Sequence, residues 1–361
     1  VIISRIKRGV KIFKIVIVNE WLEQIGGAEK VCSAILELFD HPIENIALWN
    51  SSSSIKSTES ILRFFPSMGK RYKALLSFFI FRYFYLRKEF DLVISISHLF
   101  AHTVRFKKSR KLRHINYILT PARYIWQPNL DSRLASWPFL INILKWMDLH
   151  SFNKKAINIA ISQEVQSRIQ HFWGAESRVI YPPVDVAFFQ TFLNSKEIKN
   201  GYLMSAGRFV PYKNHKQTIL VASQLNRKVV LSGDGPECEN LRMLARRLGV
   251  ELEMHIAPSR ECLANLLANA SVFIHPAIED FGILPIEALA TGTPVVGLSL
   301  GSLPETINES SGVLVPNFDG LADAVLEAEK LDRKRVSEQS ERFSKERFAK
   351  EFRSLLDEVM A

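Results

Sequence analysis

Short runs of β-branched and apolar residues recur along the whole chain, at Ile15–Val18, Leu92–Ile96, Ile115–Leu119, Ile157–Ile161, Tyr202–Ala206, Lys228–Leu231, Ser271–His275 and Pro294–Leu298. Continuous apolar runs of this length suit strands buried on both faces, and the Ala-, Leu- and Glu-rich stretches between many of them suit crossover helices. The alternation predicts an α/β protein of two doubly wound, Rossmann-like domains. At 361 residues, each half is long enough to bury its own core. A hinge is expected within Tyr181–Gly201, where Pro182 and Pro183 stop one strand and a polar segment leads into the next. This gives domains at 1–190 and 191–340. A helix at 341–361, with Phe343, Phe348, Phe352, Leu355, Leu356 and Val359 at roughly helical spacing, is expected to pack back on the first domain.

Composition narrows the function. Cys32, Cys238 and Cys262 are far apart with no CxxC pair, so neither a disulfide framework nor a thiolate metal site is expected, and a reducing cytoplasmic setting fits. The basic, apolar start at Val1–Val18 is broken by Lys11 and Lys14 and lacks a cleavage signal, so Lys14–Val18 reads as a first strand. The apolar run Ala74–Leu86 is interrupted by Arg82 and is short of the ~20 residues a membrane span needs. Residues 1–200 hold 29 Lys/Arg against 15 Asp/Glu, and residues 201–361 hold 18 against 22. A basic first half attracts polyanions, but no nucleic-acid motif accompanies the charge. Within it, Lys70–Lys88 mixes cations with Phe and Tyr. Two readings stand: a helix lying on an anionic membrane surface, or a buried helix with snorkelling ends.

Three loops carry candidate chemistry. In Glu279-Asp280-Phe281-Gly282-Ile283-Leu284-Pro285-Ile286-Glu287, carboxylates flank an expected helix start whose first amides, Phe281 to Leu284, suit phosphate oxygens or sugar hydroxyls. Glu287 is placed to accept from a ribose diol, and Glu279 to reach hydroxyls of a transferred sugar. Two lone acids here would otherwise only oppose the helix dipole; the tight turn Thr291-Gly292-Thr293-Pro294 into a buried strand argues for a built site. In Ser205–Asn214 a strand ends at Gly207, followed by Arg208 and Lys213. Two such cations on a loop are usually solvated, but at the carboxyl edge of a Rossmann-like sheet they suit a diphosphate. Gly26 and Gly27, after the first strand of the chain, permit close backbone approach to a ligand. Leu231–Glu237 reads as a structural turn. No DxD pair and no His/carboxylate cluster with metal spacing is present.

These residues, in this order, resemble the retaining glycosyltransferases of family 4, which have the GT-B fold of two facing Rossmann-like domains. The likeness rests on GGAEKV at Gly26–Val31, YPPVD at Tyr181–Asp185, SAGRFVPYKN at Ser205–Asn214, LSGDGPE at Leu231–Glu237 and the Glu279/Glu287 pair inside EDFGILPIEALATGTPVV. It implies Arg208 and Lys213 on the donor diphosphate, Glu279 near the donor sugar, Glu287 on the ribose, and Gly27 beside the phosphates from the opposite domain. It also implies a metal-independent, retaining hexosyl transfer with no cofactor beyond the sugar-nucleotide substrate. A looser likeness, through Asp91–His98 and His114–Trp126, is to bacterial mannosyltransferases that use GDP-mannose for lipopolysaccharide and other surface polysaccharides. It points to a lipid-linked or oligosaccharide acceptor and to the inner face of the cytoplasmic membrane. That subgroup has a histidine where Leu119 stands here; His98 is the nearby imidazole that would act in its place. Alternatives are a UDP-sugar-dependent transferase and a sugar-nucleotide-binding protein without turnover.

Overall fold

The computed structural model describes residues 13–22, 26–51, 55–64, 70–85, 88–107, 112–128, 137–196, 198 and 201–361. They divide into two units, one holding the residues up to Pro182 together with Phe348–Ala361, the other Pro183–Arg347. The chain therefore crosses between units at the Pro182–Pro183 pair, before the expected boundary at residue 190. Helix Val186–Gln190 opens the second unit instead of closing the first.

The first unit is built on a seven-stranded parallel sheet: β1 (Ile15–Leu22), β2 (Glu44–Asn50), β3 (Thr58–Glu59), β4 (Leu92–Ser97), β5 (Arg113–Ile118), β6 (Ile157–Ala160) and β7 (Arg178–Val179), in the order β3-β2-β1-β4-β5-β6-β7. The register Val18↔Ile46 and Val16↔Val93 puts these side chains on one face. There they join one core cluster with Phe78, Phe81, Phe100, Ile125 and Leu144, carried by the helices Lys70–Phe79 and Pro138–Ser151 and the turns around them. On the other face Tyr117 meets Phe348 and Phe352 of helix Lys345–Met360, with ring centroids 6.1 and 6.2 Å away. Tyr117 also donates its hydroxyl to the Ile180 carbonyl at 2.9 Å. The C-terminal helix thus completes the first unit.

The second unit has a six-stranded parallel sheet of β8 (Leu203–Ala206), β9 (Val229–Ser232), β10 (Leu252–His255), β11 (Val272–His275), β12 (Val295–Leu298) and β13 (Gly312–Val315), ordered β10-β9-β8-β11-β12-β13. Every strand but β10 and β13 is fully buried along its length. Arg333 crosses beneath it, donating to the carbonyls of Asn194, Ala268 and Ala270 and to the Thr293 hydroxyl at 2.7–3.0 Å.

The region read as a basic aromatic helix is helix Lys70–Phe79 continued by a wider turn at Ile80–Phe84. Phe78, Ile80, Phe81 and Tyr85 are buried, while Tyr72, Leu76, Phe79, Tyr83 and Phe84 face solvent. Leu86 and Arg87 lie outside the described residues, as do Glu23, Gln24 and Ile25 before the Gly26–Gly27 pair.

Because Phe352 is fully buried against Tyr117, Phe352→Ala should cost about 3–5 kcal/mol, read as a fall in the urea midpoint of the first unit. A loss below 1 kcal/mol would mean that the helix is not part of this core.

Candidate functional site

In both sheets the winding reverses once: strands are added to one side of β1 up to β3 and to the other from β4, and likewise on either side of β8 and β11. Such switch points leave a crevice at the carboxyl ends of the two central strands, since the connecting loops diverge there. Both crevices hold a pair of titratable side chains, drawn from the carboxyl ends of those strands or the loops that follow them.

In the second unit the pair is Lys213 and Glu279, which form an ion pair with side chains only 13% and 20% exposed. Lys213 lies on the loop after β8, in the short 3-10 turn Pro211–Lys213, and Glu279 follows β11. Asn214, at φ 54°, closes that turn and donates to the Pro276 carbonyl at 3.4 Å, tying the two loops together. Arg208 is exposed and donates to the Tyr212 hydroxyl at 2.8 Å, and the Tyr212 ring lies 5.6 Å from the Lys213 ammonium. Arg208, Tyr212, Lys213 and Glu279 thus run in sequence along one edge.

Two buried histidines that the sequence reading passed over stand behind this edge. His215 Nε2 is 3.3 Å from the Arg208 carbonyl and Nδ1 is 3.0 Å from the Ser205 hydroxyl. A carbonyl only accepts, so Nε2 carries the proton and Nδ1 accepts from serine. Burial, against the Arg208 hydrogen bond and with the help of Lys213, pulls its pKa down to about 4. His275, at the end of β11, is buried with Nε2 3.8 Å from Glu279 Oε1. Burial, then Lys213 and His215, hold it well below the usual imidazole range.

The glycines are positioned by close approach. Gly207 sits at φ +130°, where an added Cβ would lie 3.5 Å from Leu284 Cδ1, so it adjoins the start of helix Ile283–Ala290. Gly282 caps that helix in the left-handed region at φ +79°. Ile283 and Leu284 are its first residues and Pro285 has no N–H to leave unpaired. Glu287 is buried on its second turn, and Phe281 is buried with its ring 5.6 Å from that of Phe343. Phe281 thus anchors the loop through its side chain. The turn Leu231–Glu237 is a brace for the site: a Cβ at Gly233 would come within 1.9 Å of the Gly207 carbonyl, and Phe209 N–H donates to the Asp234 carbonyl at 2.7 Å.

In the first unit the pair is Glu20, at the end of β1, and His98, just after β4. Their Oε2 and Nδ1 are 3.1 Å apart. The Glu20 carboxylate is fully buried and accepts from the amides of His98, Leu99 and Ala101 and from the Ser97 hydroxyl, at 2.8–3.3 Å. Burial alone would raise its pKa, but His98 and the backbone donors outweigh it and hold the carboxyl at about 2. Behind it, Ser97 Oγ is 3.1 Å from His102 Nδ1, His102 Nε2 is 2.9 Å from Asp148 Oδ1, and Asp148 Oδ2 accepts from the indoles of Trp126 and Trp173. His98 therefore stands at the outer end of a buried polar chain. The sequence reading found His98 but not Glu20, whose partners lie about eighty positions along the chain. Gly27 begins helix Gly27–Leu36 of this unit, with Gly26 as its cap. Leu119 donates its N–H to the Ser97 carbonyl at 2.8 Å, so it neighbours the same turn.

The site-bearing second unit is where a family is found: residues 189–347 match the family described as Glycosyl transferases group 1. The D-inositol 3-phosphate glycosyltransferase of Streptomyces bingchenggensis is 40% identical over 93 residues, 24% of this chain and 20% of that protein. The N-acetyl-alpha-D-glucosaminyl L-malate synthase of Bacillus anthracis is 30% identical over 111 residues, 30% of this chain and 29% of that protein. The matched stretch thus spans less than a third of either relative. The fold extends further than the sequence likeness. The apo lipopolysaccharide outer core galactosyltransferase WaaB superposes with a TM-score of 0.69 at 18% identity, over 95% of this chain and 99% of that one. Anabaena Alr3699/HepE in complex with UDP does so with 0.67 at 16%, over 96% and 100%. The architecture is that of the GT-B glycosyltransferases, with two Rossmann-like units of parallel sheet.

His215 gives a pH signature. Its imidazole is neutral in the fold down to about pH 4 but takes a proton below about 6.5 once unfolded, so stability falls as pH drops from 6.5 to 4 and levels off below. Between pH 7 and 4.5, wild type should lose about 2–3 kcal/mol more than His215→Gln in urea unfolding. Equal losses would show that His215 is not held neutral.

Proposed function

We propose that this chain is a glycosyltransferase that takes a hexose from a sugar nucleotide bound at the β8/β11 crevice. The observation that carries the reading is the Lys213–Glu279 pair beside Arg208 and the Gly282-capped helix, within the residues that match glycosyl transferases group 1. In this reading Arg208 and Lys213 neutralise the donor diphosphate. The free amides at Ile283 and Leu284 add their partial charge, and Glu287 takes the ribose diol. Glu279, released by Lys213 as that ammonium turns to phosphate, receives hydroxyls of the sugar. Charge develops on the leaving diphosphate, so donors already aimed at it are the chain's main contribution to rate. The reading is of a retaining transfer, with the leaving oxygen taking the acceptor's proton on the same face, and it calls for no metal.

GDP-mannose is the first donor to test, on the sequence likeness to mannosyltransferases. UDP-sugars form the second reading, because the structurally similar HepE is known with UDP and with UDP-glucose. A lipid-linked or lipopolysaccharide-type acceptor is proposed from the aromatic faces of the first unit. Helix Lys70–Phe79 and the following turn expose Tyr72, Leu76, Phe79 and Tyr83; helix Pro138–Ser151, resting on the same core cluster, exposes Phe139, Ile143 and Trp146. Both sets recur at helical spacing and lie within the strongly basic half, as attachment to an anionic bilayer requires. No helix among the described residues is long and apolar enough to cross a membrane.

Melting curves with GDP-mannose, UDP-glucose, UDP-galactose and UDP-N-acetylglucosamine test the donor site, because a ligand of the native state raises the melting temperature. A rise with one of them, lost in Glu287→Ala, is expected; no rise with any would sink the reading. With that donor, Arg208→Ala should lower kcat by about 10²–10³-fold. Donor binding without transfer or hydrolysis would favour a binding protein. For the surface, Phe139→Ala/Trp146→Ala should reduce co-sedimentation with phosphatidylglycerol vesicles severalfold, and unchanged recovery would remove that helix from the membrane contact.

A further inference from the structure

Glu279 is paired through one oxygen to a cation that the donor would draw away. Its Oε1 bonds the Lys213 ammonium, and in the transferase reading that ammonium turns to the diphosphate. A largely buried carboxylate that loses its cation needs another donor, or water that would compete for the sugar hydroxyls. The structure holds such a donor. His275 Nε2 is buried, has no hydrogen-bond partner among the described residues, and stands 3.8 Å from that same Oε1. Buried polar atoms are satisfied in all but a few cases, so a nitrogen left open beside a carboxylate calls for a partner in another state of the site.

The frame around the two side chains is fixed. His275 ends β11, where it pairs with Gly297 of β12, and a Cβ at Gly297 would come within 2.8 Å of the His275 carbonyl. Its ring stacks on that of Phe273, on the same face of the strand, at 6.1 Å and 21°. The Glu279 carbonyl accepts from the Ser302 amide at 3.2 Å, and a Cβ at Gly301 would approach that carbonyl to 2.7 Å. With both backbones pinned, a small rotation of the Glu279 side chain suffices to close the gap. The tautomer follows from the same geometry. A ring-nitrogen lone pair facing a carboxylate oxygen would be repelled, so Nε2 carries the proton. Burial, with Lys213 and His215 nearby, keeps the ring neutral, so it donates without bringing a second positive charge.

We propose that His275 is a positioning residue for Glu279: as Lys213 turns from the carboxylate to the diphosphate, His275 Nε2–H takes over the freed oxygen and holds the carboxylate for the sugar hydroxyls. The exchange of partners is a property of these three side chains; its use in holding the sugar rests on the transferase reading.

The exchange is tested without substrate, by ¹⁵N–¹H spectra of the histidine rings in the labelled full chain. Nε2 should be the protonated nitrogen of His275 in the wild type. In Lys213→Met its proton should move downfield as Glu279 turns to it, a move abolished in Lys213→Met/Glu279→Ala. A ring protonated at Nδ1, or a proton unmoved by Lys213→Met, overturns the exchange. Its use is tested with the sugar nucleotide that raises the melting temperature and with the matching nucleoside diphosphate. His275→Phe, which keeps an aromatic ring and removes the donor, should weaken the sugar nucleotide about tenfold and the nucleoside diphosphate less than about twofold, and His275→Gln should recover part of the loss. Equal weakening of both ligands would make His275 a packing residue, and no weakening of either would show that Glu279 needs no second partner; each overturns the positioning role. If His275→Phe fails to fold, the wild-type and Lys213→Met spectra still decide the exchange. Exchange in the spectra without binding of any sugar nucleotide refutes the transferase reading and leaves the exchange, whereas binding without exchange refutes this proposal alone.

Discussion

The reversal of winding in each sheet is the constraint on which the candidate chemistry depends. Parallel strands must all be entered from the same edge, so every connection leaves from the carboxyl edge, and only where the winding reverses do two adjacent loops part. That places the carboxyl end of β1 beside the turn after β4, and the residues after β8 beside those after β11. Glu20 meets His98 and Lys213 meets Glu279 for the same topological reason. Neither pair is close in sequence, and neither would form if the strands were ordered as in the chain.

Holding such pairs away from water requires compensation, and the two units do it differently. In the first, His98 and the amides of the turn after β4 surround the Glu20 carboxylate and together hold its pKa down against the cost of burial. In the second, the residues behind the ion pair are neutral histidines. A protonated His215 or His275 would repel Lys213, and burial prevents protonation. The close fit of Gly233 against the Gly207 carbonyl then fixes the loop that carries Arg208. A side chain at Gly233 would displace that carbonyl, so the turn after β9 serves the site without being exposed to it.

The strands formed by uninterrupted apolar runs were readable from sequence because burial on both faces leaves no polar interruptions: Ile15–Val18 and Val295–Leu298 are of this kind. Strand β2 was not, since Glu44-Asn45-Ile46-Ala47-Leu48-Trp49-Asn50 mixes polar residues into a central strand; Asn45 is satisfied there by Asn19 and the Lys56 carbonyl. Arg208, Lys213, Glu279 and Glu287 announced themselves by residue type next to glycines and a helix start. Glu20, His215 and His275 carried no such mark, because a single acid or histidine at a strand end acquires meaning only from a partner that the topology supplies. The helix Lys70–Phe79 illustrates the opposite difficulty. Aromatic residues all round it left two readings open; one face is buried in the core and the other is exposed.

Bulk charge, finally, points away from where the local charge lies. Residues 1–200 carry the large basic excess, yet the β1/β4 crevice is a compensated acid–histidine pair. Residues 201–361 are slightly acidic overall, yet their crevice displays Arg208 and Lys213. A crevice selects its ligand over a few ångströms, whereas a net charge acts across a Debye length of about 8 Å or more. The two scales therefore address different partners. In the proposed reading the few cations of the second unit hold the donor diphosphate. The diffuse positive charge then has no task in either crevice. In that reading its object is an extended anionic surface, with the exposed aromatic faces of the two helices as the apolar contact that charge alone would not give.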